Sequence, residues 1–330
     1  MKKLVKSNGS IQYGIFKEPV DVINYLDFPL KTPMGMNIPQ VLRRFMFNQF
    51  FFLGIAGPDI IAGIAVVDLK YLGNGFAYLY DRKTGKLVEE TQISPPVNNV
   101  NIEPNPSVLT CFFKWGGLLI RIENNHISVK GKKISFELDL CGGGENPLRL
   151  CTRSGYRGWT YTEKTSPVQI SGKATLNNSE YILNSPDNMA FLDFSCGYMK
   201  RDTFWNWASI AATLPTGQTL GLNLACGVNE TGFTENAFWI DGQMVKVDTV
   251  NFVFNKDDLN QKWIVQSFDG KVDLQFSPEG SRSEKVNAVF VLSRFSQLFG
   301  TFEGTLKTDS GDVITIKDCP GWMEDHFARW

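Results

Sequence analysis

Apolar and polar positions alternate with a period of two along much of the chain. Val272, Leu274 and Phe276 alternate with Lys271, Asp273 and Gln275, and Val250, Phe252 and Phe254 with Asn251 and Asn255. Successive side chains of a strand point to opposite faces, so this pattern predicts strands with one side buried and one wet. Turn signals separate the strands. Residues 60–72 lead into Gly73-Asn74-Gly75 and then residues 76–81, which predicts a hairpin over the favoured Asn-Gly pair. Lys83-Thr84-Gly85 turns the chain into residues 87–91, Asp241-Gly242 joins 237–240 to 244–247, and Asp269-Gly270 joins 263–267 to 272–276. Helical periodicity is scarce, and residues 41–52 stay open between helix and strand. Pro95, Pro96, Pro104 and Pro106 predict a long loop over 94–107. Evenly spaced antiparallel strands predict an all-β barrel or sandwich. About eight strand candidates follow Trp205, enough for a small barrel. A similar meander runs over residues 60–194. The expected organisation is two tandem antiparallel β-barrels or half-barrels, residues 1–198 and 199–330.

Composition narrows the partners. The 330 residues are 43% hydrophobic, which supplies a large core, and 33 basic against 34 acidic residues leave no basic stripe for nucleic acid. Residues 45–67 are the stretch most like a membrane span, but Asn48-Gln49 and Gly57-Pro58-Asp59 interrupt it. A spanning helix needs about 20 consecutive apolar residues, so two buried strands are expected and no membrane span. The six cysteines form no Cys-x-x-Cys pair, and two histidines are too few for a usual metal cluster. No metal or cofactor is expected. Met1-Lys2-Lys3 is not followed by an apolar signal segment, so reduced thiols and a cytoplasmic location are expected. Gly142-Gly143-Gly144 lacks the Lys-Ser/Thr of a phosphate loop, and no Gly-x-Ser-x-Gly elbow occurs.

Candidate chemistry concentrates near the C-terminus, in Gly321-Trp322-Met323-Glu324-Asp325-His326-Phe327-Ala328-Arg329-Trp330. On a strand Glu324 and His326 share one face and Asp325 takes the other. They form either an acid–base pair tuned by Trp322 and Trp330, or a hydrogen-bonded anchor for the strand. Trp205 and Trp207 also share a face, as pocket walls or as core. Asp193 lies in the apolar run Met189-Ala190-Phe191-Leu192-Asp193-Phe194, where a carboxylate needs a partner or a function. Glu230 and Glu235 flank a turn, and His126 sits at a hairpin tip where exposure is expected.

Several segments carry a resemblance. Gly57-Pro58-Asp59, Phe204-Trp205-Asn206-Trp207-Ala208, Gly221-Leu222-Asn223-Leu224, Glu235-Asn236-Ala237-Phe238-Trp239-Ile240-Asp241-Gly242 and the closing decapeptide together resemble a bacterial family, domain of unknown function 2804. The order of Tyr161, Phe191-Leu192-Asp193, Trp205-Asn206-Trp207 and Gly321-x-x-Glu324 is more remotely similar to carotenoid 1,2-hydratase and the AttH-like proteins. That similarity implies two lipocalin-like (calycin) barrels. An Asp-His-x-Trp motif of those hydratases falls here on Asp193-Phe194-Ser195-Cys196, which keeps the Asp and lacks the His and Trp.

The expected function is binding of a hydrophobic small molecule, a lipid or terpenoid, in a β-barrel cavity. The alternative is a hydratase-, isomerase- or cyclase-like acid–base enzyme using Asp193, Glu324 and His326. A carbohydrate-active protein with Glu235 and Glu324 as its carboxylates is third. Trp205, Trp207, Glu235 and Trp322 are the expected ligand-binding residues, joined by Asn223, Asn236 and Trp239 from the segments that carry the resemblance.

Overall fold

The computed structural model describes residues 1–330 apart from 96–97, 105–108, 178, 229–231, 289–290 and 330, and apart from the side chains of 288 and 291. Glu230 and Trp330 therefore lie outside the described residues. The chain forms two antiparallel sheets. In the first, the path runs from Lys86–Ser94 through Gly73–Asp81, Ile60–Asp68 and Asn48–Ala56 to Met189–Gly197 and Gly158–Leu176. It continues through Ile134–Gly143, His126–Lys130, Leu118–Glu123 and Cys111–Trp115 to Val100–Ile102, and the sheet curls into a nearly closed barrel. The second sheet is a curled half-barrel. Its long C-terminal strand Val313–Arg329 lies between Asp202–Thr213 and Val291–Lys307, beyond which Val272–Ala288 follows. The lipocalin-like all-β expectation is met.

Residues 41–52 divide into a short helix, Gln40–Phe45, and the strand Asn48–Ala56. The hairpin at Gly73-Asn74-Gly75 is displaced from its expected turn. The reversal falls one step earlier, where Leu69 N donates to Leu72 O (2.9 Å) and Lys70 takes φ 66°. All three residues of the Gly-Asn-Gly signal are strand. Gly75 is needed there for space, because a Cβ would lie 2.4 Å from the Phe113 ring. Asp241 (φ 48°) and Gly242 (φ 74°) do form their two-residue turn, between Ala237–Ile240 and Gln243–Lys246.

Alternation sorts the strand residues into three layers. Phe51, Leu53 and Ile55 point into the first barrel with Ile64, Val66 and Trp159. On the second sheet Leu222, Leu298 and Met323 join Phe238 and Trp263 in a separate core. The opposite faces meet: Phe52, Ala65, Tyr78 and Phe191 pack against Trp207, Phe299 and Trp322. Asn48–Ala56 is thus covered on both sides, which explains its nearly continuous apolar sequence. Trp322 lies over Gly54, where a Cβ would meet its ring at 2.8 Å, and its Nε1 donates to the Tyr78 hydroxyl (2.9 Å). All six cysteines are free thiols. No helix among the described residues is long and apolar enough to cross a membrane.

Candidate functional site

Strand register builds the site two rows at a time. On the second sheet, Arg282 pairs with Gln297, Gln297 with Glu324, and Glu324 with Trp207. One step along, Glu284 pairs with Phe295, Phe295 with His326, and His326 with Trp205. From the first sheet, Lys164 pairs with Asp193 and Asp193 with Phe52. These rows face one another across a cavity of about 240 Å³. Phe50, Phe52, Val67, Phe76, Trp207 and Phe295 supply much of its apolar wall. The hollow lies between the two sheets, not inside a barrel as expected, because the inward side chains of the first barrel form a buried core of their own.

Two polar clusters border the cavity. Lys164 is 3% exposed, is ion-paired to Asp193, and stands 3.9 Å from Glu235. Burial works to remove its proton, but Asp193 and Glu235 outweigh that and hold its pKa above the ordinary lysine value. Ser195 Oγ donates to Asp193 Oδ1 (3.2 Å). In the other cluster Glu324 accepts from Trp205 Nε1 (3.0 Å) and Gln297 Nε2 (2.6 Å). Burial pushes its carboxyl up to about 7, against those donors and the Arg282 charge. His326 is held between Trp205 and Phe295, with ring centroids 4.1 and 4.8 Å away, and its Nε2 lies 3.1 Å from Ser293 Oγ. Burial, aided by the Arg282 charge, lowers its pKa to about 3, so the imidazole is neutral. Arg282 is ion-paired to Glu89 and lies over the rings of Phe76, Tyr78 and Phe295.

Six of the residues expected from sequence line the cavity together: Asp193, Trp205, Trp207, Glu235, Glu324 and His326. Four do not. Asn223 is fully buried, accepts from Trp207 Nε1 (2.8 Å) and donates to the Glu235 carbonyl (2.7 Å), so it holds two lining residues from behind. Asn236 bonds the backbone of Ala225 and Asp248. Trp239 packs on Leu148 of the first sheet and donates to Asn146 O (2.7 Å). Trp322 belongs to the packed layer between the sheets. His126 is exposed as expected and bonds Asp139 and Glu137, the first of which most raises its pKa. Lys164, Arg282 and Gln297 were missed. Polar residues flank both positions in Thr162-Glu163-Lys164-Thr165 and Ser281-Arg282-Ser283-Glu284-Lys285, and only the packing of the two sheets on each other covers Lys164 and Arg282. Among the described residues no group of three or more His, Cys, Asp or Glu is placed to hold a metal ion.

A nearly closed barrel and a half-barrel enclosing a lined cavity at their junction define a two-unit lipocalin-like protein. The profile of the domain of unknown function DUF2804 matches residues 1–330, and the chain belongs to that family. An AttH of Nitrosomonas europaea has a similar structure, with TM-score 0.52 and 14% identity over 84% of this chain and 91% of that one. At that identity the likeness is one of fold. Kievitone hydratase from Nectria haematococca aligns with TM-score 0.49 and 10% identity, over 85% of this chain and 88% of that one. No curated protein sequence matches the chain.

Proposed function

We propose that the cavity between the sheets binds one small, mainly apolar molecule such as a terpenoid or the end of a lipid. The observation that carries this reading is an aromatic-walled hollow of about 240 Å³ within an otherwise close-packed interface. Protein interiors rarely leave such space, and ligand sites combine apolar walls with a few placed polar groups. The volume falls below the roughly 300–1,000 Å³ of drug-sized sites, which favours a small ligand. Native mass spectrometry after exposure to a lipid extract tests the reading. One equivalent of an apolar compound is expected on the wild type and markedly less on Val67→Trp, whose indole would intrude on the cavity. An empty wild type overturns it.

Acid–base turnover of that molecule is the second reading, supported by Glu324. A carboxyl whose pKa is about 7 is poised to give and take protons near neutrality. Asp193 fits the role of counter-ion to Lys164 better than that of proton donor. Glu324→Gln is expected to retain ligand but abolish its conversion; equal conversion by both proteins removes this reading. The sugar-cleft reading is the weakest, since Glu235 and Glu324 are both buried.

A further inference from the structure

Residues 34–45 turn five large apolar side chains to solvent: Met34, Met36, Val41, Leu42 and Phe45, each between 45% and 86% exposed. Local pairing fixes where they stand. Lys31 bridges Asn37 and Thr32 N donates to Met36 O (2.8 Å), which sets Met34 and Met36 at the tip of a reversal. The helix Gln40–Phe45 follows, with Val41, Leu42 and Phe45 on one side of it and exposed Arg44 at their flank. Arg43, on the other side, donates to the carbonyls of Leu26 and Phe28, which holds the helix with its apolar side outward.

The surroundings of this patch are basic. A second hollow, of about 280 Å³, is bordered by Thr32, Pro33 and Gly35 of the tip and by Lys31, Arg153 and Arg157, with no carboxylate among the described residues that line it. Tyr156, 84% exposed, is part of the same wall. Ser154 Oγ accepts from Lys200 N (3.1 Å), which brings exposed Lys200 and Arg201 to this group. Two exposed acids beside it are engaged: Asp27 accepts from Asn24 Nδ2 (2.7 Å), and Asp202 pairs with Arg329. The cavity between the sheets is close by. Asn48 and Met199 line it, three positions after Phe45 and one before Lys200, so the Cα atoms of Phe45 and Asn48 lie within about 11 Å. Exposed apolar patches mark contact surfaces. Protruding apolar side chains among cations suit the boundary of an anionic bilayer, where they meet acyl chains and headgroups respectively. We propose that this face docks on an anionic lipid bilayer, with Lys31, Arg153 and Arg157 receiving a headgroup. Docking there presents the nearby cavity to lipid; that use, though not the docking, rests on the cavity reading above.

Flotation with vesicles of phosphatidylcholine, alone or mixed with phosphatidylserine, tests it. Binding to the mixed vesicles is expected, weakened by high salt, with little binding to phosphatidylcholine alone. Leu42→Ser should bind the mixed vesicles about tenfold more weakly and Arg157→Ser about fivefold. Ile182→Ser, exposed and paired near the far end of Gly158–Leu176 from Arg157, should bind as the wild type does. A wild type that floats with neither vesicle, equal binding to both at any salt, or undiminished binding by Leu42→Ser overturns the proposal. So does a concentration-dependent dimer that Leu42→Ser abolishes, which would give this face to a second copy of the chain. Native mass spectrometry separates the two readings. Leu42→Ser should keep the cavity ligand while losing the vesicles, whereas an empty wild type that still binds vesicles removes the cavity reading and leaves the docking face.

Discussion

Burial moves the titrations of Glu324 and His326 in opposite directions although they stand two residues apart on one strand face. Glu324 rises from 4.5 to about 7, so over that range the folded protein keeps a proton that the unfolded chain has lost. Its contribution to stability is full below pH 4.5 and declines as pH rises towards 7. His326 falls from 6.5 to about 3, so the unfolded chain holds the extra proton and stability is lost as pH falls below 6.5. Between pH 4.5 and 6.5 the two slopes, each about 1.4 kcal/mol per unit, cancel. Relative to the wild type, Glu324→Gln should therefore gain stability with pH across this window, and His326→Leu should lose it. Urea unfolding at several pH values reads both, and parallel profiles would contradict the burial argument. Lys164→Met should cost about 3–5 kcal/mol by removing the buried cation that is ion-paired to Asp193 and faces Glu235. Asp193→Asn should cost less, since Glu235 still faces the lysine. An equal loss in both variants would deny Lys164 its central place.

At the scale of elements, the Gly73–Asp81 strand shows where local signals mislead. An Asn-Gly pair between apolar runs is a strong hairpin signal, yet here both residues sit in the ladder and the turn forms at residues 69–72. The glycine answers a demand made 38 positions away in sequence, the space taken by Phe113 against Gly75. Gly75→Ala should thus cost about 1–3 kcal/mol by overpacking, and Phe113→Leu in the same chain should recover part of it. A double-mutant cycle with no coupling would return Gly75 to a turn role. The C-terminal segment was more legible. Its alternation placed Glu324 and His326 together and Asp325 opposite, and the structure keeps that division: Asp325 meets Arg294 and the Asn206 side chain on the other face.

For the whole molecule, the layer between the sheets makes the two units interdependent. Phe52, Tyr78, Phe191, Trp207, Phe299 and Trp322 are buried there, and Arg82 pairs with Glu279 across the same junction at 2.7 Å. Units joined by an apolar interface of this kind do not move independently. Far-ultraviolet and near-ultraviolet circular dichroism should report one denaturant midpoint for both sheets. Two separated transitions would mean that the sheets, and the cavity walls with them, part before they unfold.

The sequence by itself determined the strands, most of the hairpins, the all-β class, and which candidate side chains share a face. These follow from a period of two and from turn chemistry, both local properties. Six of the ten expected site residues line the cavity for that reason. Tertiary structure alone decided that the outer face of the first barrel is covered, that the hollow lies between the sheets, and that Lys164 and Arg282 border it. Alternation states which residues share a side of a strand, but not what packs against that side. That is set by pairings such as Trp322 with Tyr78, 244 residues apart, which no local pattern encodes.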